Sequence, residues 1–488
     1  MKVLVPQDQA EEWRERGRKA QRERSQLPKV DKPFQTSERP AEKPGPKAAD
    51  LTLTEAAAIA SRDAKGRSVP MNSRTNNFLA QQKSGEVDAA QGGGITPKAA
   101  SAAIGETPPQ ALLDACMTGE ASAERGRIYD RFTFCQRAPM QAEYWEVDAS
   151  GQPVEHMGTT KATMEIVAQG FDDQRSTRVF AQVQKDSVSY DWGIWDDIWT
   201  APGVPLSLVG ICSQGQFSCG ASRSPATLTW DNWDNNPSWA YWDIGNSSTL
   251  AFGRDKIMFS SWQVQYFTDD NEISTTERGS SAAQLIRCDS ATYIVGLFGA
   301  ARPHGCVFPG AYTHLTYSAT ANEGKVAEHI YYAQWFSNDT FPLLAPPGEP
   351  APRDKEIPGA WVAGGPDGAP LHRITPTLHP TEYKANRDHK DGACYGTGPE
   401  AATYDGLGLD PRPNTPAEQC DEYPFASTLE GGASQDWDFS VRAVPERDNL
   451  SAGGTLVAYY NADRVLAWDA TLPEPDVSND MFWVEIVP

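Results

Sequence analysis

Eight cysteines place the strongest restriction on how this chain can fold. They are even in number and fall into four couples that are close in sequence: Cys116 with Cys135, Cys212 with Cys219, Cys288 with Cys306, and Cys394 with Cys420. Such couples are typical of disulfide frameworks, so we expect up to four disulfide bonds and an oxidising compartment. Zinc binding is the alternative, but no CxxC spacing occurs and the seven histidines do not form repeated ligand pairs.

The amino terminus bears on how such a protein would be exported. It reads MKVLVPQDQAEEWRERGRK, and its apolar run is far too short for the hydrophobic region of a signal peptide. We therefore expect a secreted, extracellular protein that either has lost a leader or leaves by a route that needs none.

The charge of the chain limits its partners. Its 488 residues carry a formal net charge of -22, which disfavours wholesale electrostatic binding of nucleic acid or of an anionic membrane. Binding of a polyanion must therefore occur at a local site or be mediated by a metal ion. No stretch approaches the roughly 20 apolar residues of a membrane helix, so we expect no membrane span. The length corresponds to two or three domains.

Residues 1–105 differ in composition from everything that follows. Their only aromatic residues are Trp13, Phe34 and Phe78, while Lys, Arg, Glu, Gln, Pro and Ala are frequent. Because such a segment cannot bury enough apolar surface to offset chain entropy, we expect a largely disordered region. Two stretches, 8–25 and 52–62, have the composition of short helices. The first has the alternative interpretation of a basic arm that binds nucleic acid.

Residues 106–342 predict a β-rich middle domain. Segments such as STRVFAQVQ and DKIMFSSWQVQYF are rich in β-branched and aromatic residues and are separated by Gly, Asn, Asp and Pro. Many short strands with turn signals are typical of an antiparallel, sandwich-like fold. A helix is predicted near the end of this region, over residues 325–338.

Tryptophan is concentrated in the middle domain, at Trp192, Trp195, Trp199, Trp230, Trp233, Trp239 and Trp242. Aromatic rings beside Asp and Asn would suit a platform that binds a glycan or a cell-wall ligand. Packing in the β core is the alternative, because Trp commonly anchors such cores. The DNWDNN stretch would also allow calcium binding, although the EF-hand pattern is absent.

A segment rich in proline and glycine, residues 343–370, has the composition of a linker. The sequence therefore predicts a domain boundary here, followed by a small α+β domain over residues 371–488. That domain contains 8 lysines and arginines against 20 aspartates and glutamates. An acidic domain does not attract phosphate by its bulk charge, so a phosphodiester substrate would require bound divalent cations.

The stretch CDEYPFASTLEGG, residues 420–432, contains carboxylates suited to that task. Asp421 and Glu422 are adjacent, and Glu430 follows after a turn at Pro424. Hard cations such as Mg²⁺ prefer carboxylate oxygen and could activate water or polarise a phosphoryl oxygen. From the residues alone, a solvated acidic loop is the alternative interpretation.

This stretch, followed by SVRAVPERDNLSAGG and then RVLAWD and MFWVEI, resembles the NucA/NucB deoxyribonuclease domain of secreted bacterial nucleases. The resemblance covers about the last quarter of the chain. It implies metal-dependent, largely sequence-nonspecific hydrolysis of DNA, with Mg²⁺ or Mn²⁺ as cofactor. The middle domain has no comparable resemblance, and ATLPEPDVSND interrupts the connection to the last strand.

The resemblance assigns roles to individual residues. Asp421, Glu422 and Glu430 would bind metal or activate water, and Asn449 would be a further metal or phosphate ligand beside Asp448. Ser440 and Arg442 lie two apart on one strand and would face the same side, where Arg442 would stabilise charge on the phosphate.

The residues leave two alternatives for the group that accepts the proton from water, and two for the role of Cys420. Glu430 is the candidate that the resemblance supports, and His389 is the alternative, because a Cys394–Cys420 disulfide would bring it close to Asp421. Cys420 itself would be a structural staple rather than a reactive thiol, since its acidic neighbours would raise the pKa of the thiol.

Two functions follow. The first is a secreted metal-dependent DNA endonuclease that scavenges nutrients, disperses extracellular DNA of biofilms, or acts as an antibacterial toxin with an immunity protein as partner. The second is a surface or glycan-binding protein that works through the Trp-rich domain and carries a degenerate nuclease domain.

Overall fold

A computed structural model describes most of the chain beyond residue 105. The described residues are 104, 106–117, 126–147, 153–192, 201–213, 219–222, 224–236, 238–246, 251–268, 278–296, 299–362, 365–413, 417–472 and 475–487. The predicted disordered region 1–105, with both of its helical stretches, lies outside the described residues apart from Ile104. Trp195 and Trp199 also lie outside them. The described residues divide into two compact units, which meet in sequence between Ala311 and Tyr312.

The middle unit contains two antiparallel sheets. The first has the order β1-β2-β3-β4-β9-β7, with β5 beside β3, and the second has the order β13-β12-β10-β6-β8, with β11 beside β10. The strands are β1 Arg127–Asp130, β2 Thr133–Val147, β3 Pro153–Gly170, β4 Ser176–Val183, β5 Ser189–Trp192, β6 Pro205–Ser213, β7 Cys219–Ala221, β8 Ala226–Thr229, β9 Ala240–Asn246, β10 Met258–Phe267, β11 Gly279–Ser280, β12 Gln284–Asp289 and β13 Gly305–Val307. The helices are α1 Gln110–Met117 and α2 Trp230–Asn235.

The two sheets pack face to face, which confirms the predicted sandwich. Phe134 of the first sheet meets Trp262 of the second with ring centroids 5.5 Å apart. Three of the four predicted disulfides fasten this unit. Cys116–Cys135 ties α1 to β2, Cys212–Cys219 joins the two sheets, and Cys288–Cys306 links directly opposed residues of β12 and β13.

The described tryptophans of the middle unit are core residues. Trp230, Trp233 and Trp242 are fully buried, and Trp192 and Trp239 are nearly so. The indole nitrogens of four of these, all but Trp239, donate hydrogen bonds, for example to the Tyr144 hydroxyl and to a backbone carbonyl. An aromatic platform needs rings that face solvent, so these five side chains do not form one. The aspartates of DNWDNN make local hydrogen bonds in and around α2.

The carboxyl-terminal unit, residues 312–488, combines a mixed sheet, a two-stranded ribbon and helices. The sheet has the order β14-β19-β15-β16, and β17 and β18 form the ribbon. The strands are β14 Thr313–Ser318, β15 Ala360–Val362, β16 Gly365–Asp367, β17 Glu418–Tyr423, β18 Ser440–Pro445 and β19 Phe482–Val487. The helices are α3 Gly324–Trp335, α4 Pro380–Tyr395, α5 Glu446–Ala462 and α6 Pro475–Ser478. This arrangement confirms the predicted α+β class.

The structure places β14 and α3 in the carboxyl-terminal unit, whereas the sequence assigned residues 312–342 to the middle domain. β14 pairs in parallel with β19 along its whole length, from Thr313 opposite Phe482 to Ser318 opposite Val487. The apolar side chains of α3 then fill the core between this sheet and α5. The boundary therefore precedes Tyr312 because the last strand needs β14 as its partner.

The segment 343–370 is likewise integrated into this unit rather than serving as a linker. β15 and β16 belong to its sheet. Lys355 is buried, and its ammonium donates to the Thr340 carbonyl, the Thr340 hydroxyl and the Pro342 carbonyl. Arg353 forms a two-pronged ion pair with Asp438, just before β18. We call residues 343–359 the strap.

Local sequence signals fix the ends of α4. The helix begins with Pro380 in its first turn, where proline loses no hydrogen bond, and ends at Gly396, which adopts a left-handed conformation with φ of 60°. The fourth predicted disulfide, Cys394–Cys420, fastens α4 to β17. Among the described residues, no helix is long and apolar enough to cross a membrane.

Candidate active site

The β17–β18 ribbon arranges the predicted site residues. Asp421 lies directly opposite Arg442, and Tyr423 lies opposite Ser440. Because side chains alternate along a strand, Asp421 and Glu422 point to opposite faces of the ribbon. One face is covered by α3 and α5, and the other by α4. The two adjacent acids of the motif therefore lie in different environments.

On the face toward α3, Asp421 is held by a histidine. The Nδ1 atom of His329 lies 2.6 Å from Asp421 Oδ2, and its Nε2 atom lies 2.8 Å from Ser440 Oγ. A carboxylate can only accept, so Nδ1 carries the proton. His329 is 1% exposed, Asp421 6% and Ser440 0%. The side chain of His329 therefore spans the two strands and fixes both partners.

Although Asp421, His329 and Ser440 have the order of a hydrolase triad, the chemistry of a serine nucleophile does not fit. A nucleophilic hydroxyl must reach the substrate, and Ser440 is fully buried. The hydroxyl instead satisfies the second nitrogen of His329. Within this group, Ser440 and His329 support the carboxylate of Asp421, and that carboxylate is the candidate catalytic group.

Arg442 lies beside Asp421 on the same face, as the sequence predicts for Ser440 and Arg442. Its Nη2 donates to Glu328 Oε1 at 2.9 Å, and its guanidinium lies 5.4 Å from the centre of the Tyr332 ring. Lys325 pairs with the other oxygen of Glu328 at 2.7 Å. The side chain of Arg442 is 30% exposed, so it can meet a ligand while remaining oriented by α3.

The first turn of α5 contributes Asp448 and Asn449 to the same side of the ribbon. Asp448 accepts a hydrogen bond from the backbone N–H of Lys325 at 3.1 Å. The side-chain nitrogen of Asn449 donates to Gln419 Oε1 at 3.0 Å, and Gln419 precedes Asp421 by two residues on β17. The bond that Asn449 makes uses its nitrogen, which leaves its carbonyl oxygen as the ligand-type atom.

Glu422 lies on the face toward α4, near Lys390 and Arg387. Burial raises the pKa of Glu422 to about 7, and the neighbouring charge of Asp421 adds to the rise, while Lys390 and Arg387 oppose it. Its surroundings include the disulfide at Cys420 and an apolar cluster on α4 and β18. The structure thus separates Glu422 from Asp421.

Glu430 lies in a third environment. Its two oxygens accept hydrogen bonds from the His372 backbone N–H at 2.8 Å and from His372 Nδ1 at 2.6 Å. The loop around it is organised by Asn386, which donates to two backbone carbonyls and accepts from the N–H of Ala433. Gly431 is needed here because a Cβ would lie 2.4 Å from the Asn386 amide.

His389, the alternative base, contacts a different group of residues. Its Nδ1 lies 2.7 Å from the Tyr404 hydroxyl, and its Nε2 lies 3.9 Å from Glu400. Among the described contacts, none joins His389 to Asp421. The disulfide does bring α4 against β17, but His389 faces the 401–404 turn.

The arrangement of the oxygen donors decides whether a divalent cation fits this site. In the part of the chain that the structure describes, no three His, Cys, Asp or Glu side chains are grouped so that they could hold a metal ion. The predicted set of Asp421, Glu422, Glu430 and Asn449 is not brought together. Asp421 and Asn449 share one side of the ribbon and offer carboxylate and amide oxygen, which fits Mg²⁺ or Mn²⁺.

Three residues that contact predicted site residues were absent from the sequence prediction: Glu328, His329 and His372. The first two belong to α3, which reads as an amphipathic helix of a different domain. Two adjacent polar residues, Glu-His, within the largely apolar run KVAEHIYYAQW are the signal that could have marked them. His372 lies outside the motif and is linked to Glu430 only through tertiary structure.

Comparison with known proteins gives one match. The model of the deoxyribonuclease NucA/NucB family matches residues 374–467. This segment includes α4, the β17–β18 ribbon and α5, whereas β14, α3 and β19 lie outside it. No curated protein and no solved structure matches the chain. The carboxyl-terminal region of the chain therefore carries a NucA/NucB deoxyribonuclease domain.

Proposed function

We propose that the protein is a secreted, metal-dependent endonuclease that hydrolyses the phosphodiester bonds of DNA with little sequence preference. The match of residues 374–467 to the deoxyribonuclease family carries this proposal. Four disulfides, which persist in oxidising compartments, support export. Extracellular DNA would be the substrate, whether the purpose is scavenging, biofilm dispersal or attack on a competitor.

The residues that face α3 and α5 are the proposed centre. Asp421 and Asn449 would hold the divalent cation, Mg²⁺ or Mn²⁺, which when bound supplies positive charge for the phosphate and lowers the pKa of water. Asp421 presents a carboxylate oriented by His329, and Arg442 presents a guanidinium oriented by Glu328. Arg442 would bind a phosphate oxygen and stabilise the charge that develops there.

The acidity of the domain supports these separate roles, with the cation held by Asp421 and Asn449 and the phosphate bound by Arg442. With 20 acidic residues against 8 basic ones, residues 371–488 carry a net negative charge that does not attract DNA. Phosphate would therefore be recognised at one place, by Arg442 and the cation. Ser440 and Asp448 serve the site indirectly, since Ser440 bonds His329 and Asp448 bonds the start of α3.

Glu430, the proton acceptor that the resemblance supports, is the second candidate in this proposal. Its carboxylate already accepts two hydrogen bonds from His372, so it would act together with that imidazole. Glu422 is the weaker candidate, because it faces α4 and the disulfide. We place water activation at Asp421 because it shares its face with Arg442 and Asn449.

The test is cleavage of supercoiled plasmid by the full chain with Mg²⁺ or Mn²⁺ and with EDTA. We expect nicking and linearisation that EDTA abolishes. Asp421→Asn should lower the rate by about 10²- to 10⁴-fold, the range for loss of an acid–base group, and Asp405→Asn, at an exposed position of the same unit, should not. Wild-type protein that leaves plasmid intact in both metals would reject the proposal.

The alternative of a surface or glycan-binding protein finds no support in the five described tryptophans, which are buried. Trp195 and Trp199 lie outside the described residues. The proposed role of an immunity protein as partner stays a prediction from the resemblance.

A further inference from the structure

The residue that holds Asp421 comes from a part of the chain that the family match does not include. The match begins at residue 374, and α3 ends at Trp335. Yet α3 contributes His329, which contacts Asp421, and Glu328, which contacts Arg442. Those two partners lie opposite each other on the ribbon.

Without α3, the ribbon would favour a different arrangement. Asp421 and Arg442 are directly opposed, and opposite charges at such positions attract across a strand pair. A salt bridge between them would neutralise both groups and turn them away from a ligand. In the described residues, Arg442 forms its ion pair with Glu328 instead, and Asp421 accepts a hydrogen bond from His329.

The geometry at His329 is that of a fixed support rather than a mobile acid or base. Both ring nitrogens are used, the ring is buried, and its helix is packed into the core through Val326, Ala327 and Ile330. A ring with both nitrogens engaged can set the direction of the Asp421 carboxylate but cannot itself reach the substrate.

Resting on the proposed function, we propose that His329 is a positioning residue of the nuclease site and that α3 is an integral part of that site. His329 holds Asp421 Oδ2, so that the remaining oxygen faces the cation and the reacting water. Glu328 holds Arg442 apart from Asp421. The functional nuclease therefore begins before the segment that matches the family.

Two nearly isosteric substitutions in the full chain separate this role from simple packing. The amide nitrogen of Asn can occupy the place of Nδ1 and keep the bond to Asp421, whereas that of Gln occupies the place of Nε2 and keeps only the bond to Ser440. Both His329→Asn and His329→Gln remove the ring and leave a polar group. His304→Gln, at an exposed histidine of the middle unit, is the matched control.

Three quantities are measured for each variant: kcat and KM on duplex DNA at saturating Mg²⁺, the affinity for Mn²⁺ without DNA by calorimetry, and the melting temperature. We expect His329→Gln to lower kcat and Mn²⁺ affinity by about 10- to 100-fold, as for loss of a residue that orients a ligand, with little change in KM. His329→Asn should keep most of both, at a similar melting temperature.

The possible results distinguish the role of His329 from the nuclease activity itself. Wild-type cleavage with equal kcat in the two variants, or a loss of kcat that follows only the melting temperature, would reject the role of His329 and leave the nuclease standing. Absence of cleavage by the wild-type protein would reject both. A loss confined to Gln supports the positioning role.

Discussion

The two faces of the β17–β18 ribbon have different chemistry, although they are built from alternate residues of the same short strands. The face toward α3 carries Asp421, Ser440 and Arg442, each bonded to a polar side chain of the helix. The face toward α4 carries Cys420 and Val441 in an apolar cluster, with Glu422 as its partly buried acid. The alternation of a strand thus allows one six-residue segment to contribute to the proposed centre on one face and to a disulfide-linked apolar cluster on the other.

Of the substitutions that test the difference between the two faces, a change at Arg442, on the face toward α3, is expected to lower activity most. Arg442→Gln should lower kcat/KM by about 10²- to 10³-fold, the range for loss of one group that stabilises transition-state charge. The melting temperature should hardly change, because Glu328 keeps its pair with Lys325. Rates are measured on duplex DNA at saturating Mg²⁺.

Arg447→Gln is the matched control, since Arg447 is an exposed arginine in the first turn of α5. Equal losses in the two arginine variants would mean that DNA is attracted by general charge, and the distinction between the faces would fail.

The sequence predicted part of each face of the ribbon. The couple Cys394 and Cys420 could be recognised from spacing alone, and the disulfide confirms it. The shared face of Ser440 and Arg442 follows from the two-residue period of a strand. The same period places Asp421 and Glu422 apart, but it could be applied only once CDEY was known to be a strand rather than a loop.

The contribution of α3 could not be predicted, for a physical reason. Its membership of the carboxyl-terminal unit is decided by the parallel pairing of β14 with β19, two strands far apart in sequence. Nothing local in THLTYS or in EHIYY specifies that partner. The composition of the strap pointed the other way, because prolines and glycines that lie packed against a core look like those of a linker.

The second prediction concerns the disulfide of the face toward α4. Replacing Cys394 and Cys420 together by Ser should lower the free energy of unfolding by about 3 kcal/mol, because the denatured chain regains the entropy of a closed loop of 26 residues. Denaturant titration of the carboxyl-terminal transition measures it. At temperatures where the variant is folded, kcat should stay close to that of the wild type.

A loss of kcat in the folded cysteine variant, without a loss of stability, would contradict the division between the faces. The Cys116→Ser and Cys135→Ser pair is the control, because that disulfide lies in the middle unit. Its removal should leave the transition of the carboxyl-terminal unit unchanged.

The smallest expected effect concerns Lys355, a residue of the strap that is connected to the face toward α4 through Phe341. Its ammonium bonds Thr340 and Pro342, on either side of Phe341, and Phe341 pairs with Val441 and packs on the apolar cluster. Burial lowers the pKa of Lys355 to about 7, against an ordinary value near 10.5. Between these values the unfolded chain binds more protons than the folded one, so stability should rise with pH from 7 to 9.

The slope contributed by one such group is at most about 1.4 kcal/mol per pH unit. Denaturant titrations at several pH values, in the wild type and in Lys355→Met, isolate it: the variant should be less stable throughout but should lack that part of the slope. Identical slopes would show that Lys355 keeps its charge in the fold. Among the described hydrogen bonds, the side chain of Lys355 contacts only Thr340 and Pro342. We therefore expect kcat of the folded variant to match the wild type, which would place the strap with the structural face of the ribbon and leave catalysis to the face that α3 covers.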